Sequence, residues 1–302
     1  MSANTRKGFL LGLAATAIWG SVVMVPLLVP EFSPLQISVG RYLLYGLVSL
    51  IWLLPRRRRI LPKTTPQVWL VLGWLSLLGN ILFYTLLTTA VTRVGAAMTA
   101  LIVGLTPVSI SVAGYLKERN LPLSRLAPAL VLGCLGILCT TAPALFGQDL
   151  AFGADQWLGL LGALGALVSW SAYAVANSGW LARFKQFSDS EWSLLLGFVT
   201  GLEALLLLPL ALDGQSREVG AWLRFALGCG WNAVFASLVC NALWNRMSRL
   251  LPLTLSGQMI LFETLFALIY CFIWEARWPG PSELLAAVLL GISVGRCVAV
   301  HR

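Results

Sequence analysis

Three ionisable side chains stand where water is scarce. Glu263 sits near the middle of LTLSGQMILFETLFALIYCFIW, and Glu203 and Arg41 lie inside two other apolar runs. A charge at the centre of a bilayer costs about 2.5–3.5 kcal/mol on insertion scales, so such residues pair or face a wet cavity. Three uses of Glu263 follow from that cost. Its carboxyl group can exchange a proton and couple proton entry to solute exit. It can stay ionised and hold a substrate ammonium group. It can also brace the bundle, through a salt bridge to Arg41 or a hydrogen bond to a neighbouring helix.

Other chemistry is poorly provided for. The six cysteines (Cys134, Cys139, Cys229, Cys240, Cys271, Cys297) form no C-x-x-C pair, and the one histidine, His301, is next to the last residue. Neither a metal site nor a Cys/His nucleophile is expected, and no cofactor. No cluster of nucleophiles or paired carboxylates supports an enzyme.

Polar and aromatic residues do recur at helical spacing. Ser76, Asn80, Tyr84 and Thr88 share one face; so do Trp170, Tyr173 and Asn177, and Ser237, Asn241 and Trp244. Ser256, Glu263 and Tyr270 align at seven-residue steps. With about 1.5 Å of rise per residue, Trp19, Asn80, Thr106, Trp170, Glu203 and Glu263 fall near mid-bilayer. The candidates for a substrate cavity are therefore Trp19, Asn80, Tyr84, Thr106, Trp170, Tyr173, Asn177, Asn241, Trp244 and Glu263. Rings would stack on an apolar or aromatic group, and amides would satisfy polar atoms in a mostly apolar cavity. The plainer use of the same stripes is interhelical packing, at about 0.6 kcal/mol per hydrogen bond.

The elements that must position these residues are membrane helices. The chain has 302 residues, of which 58% are hydrophobic and only 11% charged, where soluble proteins carry about a quarter. Ten segments reach the length of a crossing: 8–29, 35–54, 67–90, 95–115, 126–143, 156–178, 191–212, 220–244, 253–274 and 282–300. The first follows a basic start but is too long for a signal peptide and lacks a small-x-small cleavage site, so it reads as a retained helix. Loops are short, which argues against a receptor or scaffold with extramembrane domains.

The net charge of +9 does not point to nucleic acid, because the basic residues lie in the loops. With a cytoplasmic N-terminus, sixteen of them fall inside: Arg6, Lys7, Arg56 to Arg59, Lys63, Lys117, Arg119, Arg125, Arg183, Lys185, Arg246, Arg249, Arg296 and Arg302. Four fall outside, Arg93, Arg217, Arg224 and Arg277. The positive-inside rule thus gives ten helices with both termini cytoplasmic. The run Arg56 to Arg59 is a topology anchor or a contact for anionic headgroups.

The two halves resemble each other. LLGLAATAIWGS with Trp19 matches LLGALGALVSWSAY with Trp170, and a shift of 157 residues superposes Glu118 on Glu275 and Pro122 on Pro279. The fold expected is an all-α integral membrane protein of ten transmembrane helices, arranged as two inverted five-helix repeats, 1–145 and 150–302. Five is odd, so the second repeat enters from the opposite side, the usual design of alternating-access transporters. Gly8/Gly12, Gly197/Gly201 and Gly291/Gly295 fit G-x-x-x-G, and Gly159, Gly162 and Gly165 share a strip; these mark close helix approach within or between chains. Monomer and oligomer both stay open. Pro26, Pro107 and Pro209 are hinge or fixed-kink candidates.

IWGS, VGRYLL with Arg41, GLTPV…YLKE and MILFETLF…IWE together resemble the drug/metabolite transporter superfamily, specifically its ten-helix EamA-type members. The resemblance covers nearly the whole chain. MILFETLF is similar to the family's LEP segment, except that Thr264 replaces the proline; Pro107 keeps it in the first repeat. Overall aromatic richness looks most like YddG-type exporters of aromatic and other amino acids. That resemblance implies an inner-membrane exporter of a small-molecule substrate working by alternating access without an ATP-binding domain. Other small solutes, such as drugs, sugar phosphates or nucleotide sugars, are carried on the same architecture.

Overall fold

The computed structural model describes residues 3–118, 123–146 and 153–300; Pro122 and His301 lie outside them. All elements among these residues are helical. Ten crossings follow in chain order: α1 (Asn4–Leu28), α2 (Pro34–Leu53), α3 (Pro66–Val94), α4 (Met98–Leu116) and α5 (Leu123–Phe146). The second half supplies α6 (Ala154–Arg183), α7 (Asp189–Ala211), α8 (Val219–Ser248), α9 (Leu253–Trp274) and α10 (Pro281–Val300). Eight of these are long and apolar enough to qualify as spans by composition alone; α5 and α10 complete the set.

All residues from Phe83 to Val103 are helical, across the expected boundary between α3 and α4. The neighbours nevertheless change sense there. Along α6, Gly159 faces Val94, Gly162 faces Ala90 and Gly165 faces Leu86, so α3 runs antiparallel to α6. On the return, Met98 and Ile102 pack against the cluster of Ala90, Val94 and Ala163, and Ile110 packs with Ala174, so α4 runs parallel to it. The chain therefore reverses between Val94 and Met98, as the hydropathy pattern predicts.

Each half repeats the other's local instructions. Before α2, Ser33 and Gln36 form a capping box with Pro34 in the first turn; before α7, Ser188 and Glu191 do the same. Each box satisfies two otherwise orphaned backbone N–H groups. The residues just ahead of them, Phe32 and Phe187, are both buried. α3 and α8 each contain a π-helical segment, Leu77–Leu82 and Asn232–Val239.

Counterparts meet counterparts: α2 packs on α7, α4 on α9 and α5 on α10. Every such pair is antiparallel. Gln36 bonds to Ala211 and Tyr45 to Ser193; Gly114 faces Thr254 while Ile110 lies under Gly257, and Gly133 faces Ser293 while Gly136 faces Leu290. A direct repeat would set these pairs parallel. The opposed directions are what inversion requires.

The glycine patterns separate into used and unused. An ideal Cβ on Gly46 would lie 2.5 Å from the Gly201 Cα, and Gly197 sits under the Tyr45 ring, so α2 and α7 touch backbone to backbone. Gly8 and Gly12 admit Leu251 and Met247. Gly291 and Gly295 have open space instead. Of the hinge candidates, Pro26 is exposed just after a 3-10 turn, Ser21–Val23. Pro209 lies inside the last turn of α7. Pro107 differs from the expectation: it is the second residue of helix Thr106–Glu118, after a break at Gly104–Leu105. A first-turn proline starts a helix without losing a bond.

Candidate functional site

The indoles of Trp19 on α1 and Trp170 on α6 meet edge to face, with ring centroids 6.1 Å apart and planes at 75°. Trp244 lies 5.2 Å from Trp19, and Phe83 and Tyr173 lie 5.2 and 5.1 Å from Trp170. Four of the ten cavity candidates are thus gathered into one aromatic cluster, joined by Phe83, which the helical-face argument passed over. The two halves meet in it, since Trp19 and Phe83 come from the first and Trp170, Tyr173 and Trp244 from the second.

Backbone irregularities hold the cluster in place. A π turn widens the helix and disturbs its regular carbonyl pairing. The Trp19 Nε1–H donates to the Ala236 carbonyl, 2.7 Å away, in the π segment of α8. In the other half, the hydroxyl of Ser169, next to Trp170, donates to the Leu78 carbonyl at 2.7 Å in the π segment of α3. Each repeat's first helix therefore anchors to the distorted third helix of the other. No signal in a single sequence marks either π segment.

Arg41 and Glu263 flank this region without pairing. The Arg41 Nε–H donates to Ser237 Oγ at 2.9 Å, and its guanidinium lies 5.4 Å from the Tyr42 ring centroid. Among the described residues the Glu263 carboxylate has neither an ion pair nor a hydrogen bond, though the Arg41 charge acts on it electrostatically. Both residues are half-buried. The salt bridge considered from sequence does not form, and the bracing role loses its contact. Glu263 is held in place by its backbone: its carbonyl and Ala267 crowd Gly20 of α1, while Tyr270 Oη donates to the Ala17 carbonyl at 3.0 Å.

Other candidates have separate duties. Asn80 Nδ2 donates to Thr200 Oγ1 at 3.0 Å, and Ser76 Oγ donates to Glu203 Oε2 at 2.5 Å, so this polar group joins α3 to α7. Glu203 also lines an open groove of about 540 Å³ beside Trp69, Gly73 and Trp74, apart from the aromatic cluster. Tyr84 donates to the Pro34 carbonyl at 2.8 Å. The π segment breaks the 3.6-residue period that put Ser76, Asn80 and Tyr84 on one face, so Tyr84 turns away while Ser76 and Asn80 both still reach Thr200. Thr106 is buried and donates to the Val103 carbonyl at 2.5 Å, closing the break before its own helix.

Asn177 is fully buried with both ends of its amide occupied. Its Nδ2 donates to Asn245 Oδ1 and its Oδ1 accepts from Trp192 Nε1, each at 2.9 Å. Asn241 donates to Tyr45 Oη at 3.3 Å, and Tyr45 donates to the Ser193 carbonyl at 2.7 Å. No group of histidine, cysteine, aspartate and glutamate among the described residues is arranged to hold a metal ion.

Comparison with known proteins places this architecture. The chain is 32% identical to the inner membrane protein YtfF of Escherichia coli (strain K12), with 95% of this chain and 94% of that protein covered. It is 29% identical to YvbV of Bacillus subtilis (strain 168), an uncharacterized transporter, over 77% of this chain and 68% of that one. A solved crystal structure, 18% identical, superposes with a TM-score of 0.74 over 97% of this chain and 96% of its own, a likeness of fold. Residues 6–142 match the EamA-like transporter family. The chain is a multi-pass membrane transporter belonging to that family.

Proposed function

We propose that the protein exports small metabolites, aromatic and other neutral amino acids above all, by alternating access of two repeats, 1–145 and 150–302, with both termini cytoplasmic. The observation that carries this reading is the unpaired arrangement of Arg41 and Glu263 beside the tryptophan cluster. A zwitterionic amino acid brings an ammonium and a carboxylate of its own, which complement one anionic and one cationic side chain that do not neutralise each other. Its side chain would lie against Trp19, Trp170 and Trp244, where stacking is worth about 0.5–1.5 kcal/mol beyond burial. A sugar phosphate or nucleotide sugar brings two or more negative charges, which a single arginine balances poorly. The charge partition supports the cytoplasmic termini, and the antiparallel counterpart helices support the inversion.

The test is counterflow in proteoliposomes loaded with labelled tryptophan, phenylalanine, methionine or threonine, with and without a pH gradient. Flux of at least one is expected. Flux of none, with flux of a sugar phosphate or nucleotide sugar, would replace the amino-acid reading. Glu263→Gln is expected to fold normally, because the carboxylate has no hydrogen-bond or ion-pair partner among the described residues to lose, and to change transport. A flattened pH profile assigns Glu263 to proton coupling, and a raised KM at every pH assigns it to the ammonium. An unchanged profile and KM remove both roles.

A further inference from the structure

The connection between α2 and α3 is a chain of short helical turns, Leu54–Arg56, Arg57–Ile60 and Leu61–Lys63. Ile60 pins it to the bundle: the side chain is fully buried in a cluster with Val68, Leu72, Trp192 and Leu195. The basic residues of this segment divide their work. Arg56 lies over the Trp52 ring at 5.5 Å. Arg59 and Lys63 both bind the Glu191 carboxylate, at 3.1 and 3.3 Å, and Lys63 also donates to the Gln186 carbonyl at 3.0 Å. Arg57 has no acidic partner among the described residues.

Arg57 instead borders a groove of about 190 Å³ whose other walls include Leu53, Leu61, Trp69, Leu195 and Phe198. The wall is carbon surface throughout, so Arg57 contributes its aliphatic stem and carries its guanidinium to the rim. An apolar slot running along membrane helices, with one uncommitted cation at its end, combines the two halves of a phospholipid's chemistry. Anionic headgroups attract basic residues at the membrane surface by about fivefold in affinity per residue. A zwitterionic lipid would fill the slot equally well but would gain less from Arg57.

We infer that the α2–α3 connection, with α7, forms a binding site for one anionic glycerophospholipid, its acyl chain in the groove and its phosphate on Arg57. Of its four basic neighbours, Arg56 packs on Trp52, Arg59 and Lys63 tie the segment to α7 through Glu191, and Arg58 does not line the groove. The groove shares no lining residue with the tryptophan cluster, and the site stands independently of the substrate.

The experiment is native mass spectrometry of the purified protein with equimolar phosphatidylglycerol and phosphatidylcholine. The wild type is expected to retain phosphatidylglycerol preferentially. R57A should lower that preference about fivefold, R58A should leave it unchanged, and L61W, which fills the groove from an exposed position, should reduce retention of both lipids. Size-exclusion profiles and melting curves check that the variants are folded. Equal retention of the two lipids by the wild type overturns the site, as does an equal effect of R57A and R58A, which would mean general surface basicity. Undiminished binding by L61W would place the lipid elsewhere.

Discussion

The indole N–H of Trp19 on α1 donates to the backbone carbonyl of Ala236, 217 residues away in the π segment of α8. One bond thus joins the aromatic cluster to a distortion in the opposite half. Trp19→Phe keeps a ring and leaves the buried carbonyl without this donor, a loss of about 1–3 kcal/mol. Chemical unfolding in detergent should show that loss, and Trp19→Ala should cost about 3–5 kcal/mol. A Trp19→Phe variant as stable as the wild type would mean that the bond contributes nothing net.

Gly46 and Gly201 allow no side chain, because a Cβ on either would reach the other's Cα at 2.5 Å. Gly46→Ala or Gly201→Ala must push α2 from α7, at roughly 1–3 kcal/mol. Gly291→Ala and Gly295→Ala meet open space and should be neutral or slightly stabilising. Melting temperatures of the four variants compare the two kinds of glycine directly, and equal effects would contradict the contact.

Asn177 links Trp192 on α7 to Asn245 on α8. Asn177→Ala strands both partners in a buried site and should destabilise by about 1–3 kcal/mol. The surviving protein should transport with an unaltered KM, since the amide is fully buried and both its ends are held by protein partners. A raised KM at wild-type stability would return Asn177 to the transport path.

Outside the membrane, the hydrogen bond from Arg217 holds the Asp213 carboxyl well below the usual carboxylate range, with help from the Gln215 backbone N–H. Arg217 also stacks on Phe32 and bonds to the Glu31 carbonyl, tying the α7–α8 loop to the α1–α2 loop. A depressed folded pKa contributes stability that is fully present above the unfolded value of 3.8 and is lost as pH falls through the folded one. The pair therefore gives no pH dependence between pH 5 and pH 8. Asp213→Asn should lower the melting temperature at pH 7, and the gap from wild type should start to narrow below the unfolded value of 3.8 and shrink steadily with further acid. A gap that widens on acidification would reverse the sign and refute the linkage.

Much of the architecture was written locally. Apolar runs of about twenty residues, prolines between them and basic residues concentrated on alternate loops determine ten crossings, because a bilayer leaves the backbone few alternatives. The repeat was legible too: FSPLQ before α2 and FSDSE before α7 carry the same buried phenylalanine and capping box, a likeness that the structure brings out. Trp19 and Trp170 stood out as equivalent residues, and the fold sets them face to edge. The three charges were conspicuous from the cost of burying them.

Their partners were decided only in three dimensions. Helical spacing assumes 3.6 residues per turn, and the π segment in α3 changes that count, so Tyr84 turns to the Pro34 carbonyl while Ser76 and Asn80 stay together on Thr200. Sequence likewise places Arg41, Glu203 and Glu263 within apolar helices but says nothing of how those helices are rotated. Packing turns Glu203 towards Ser76, gives Arg41 to Ser237 and leaves Glu263 without a bond among the described residues. Depth along a helix follows from counting residues; azimuth around it depends on every neighbour at once, and that is why tertiary structure alone settled which charges pair.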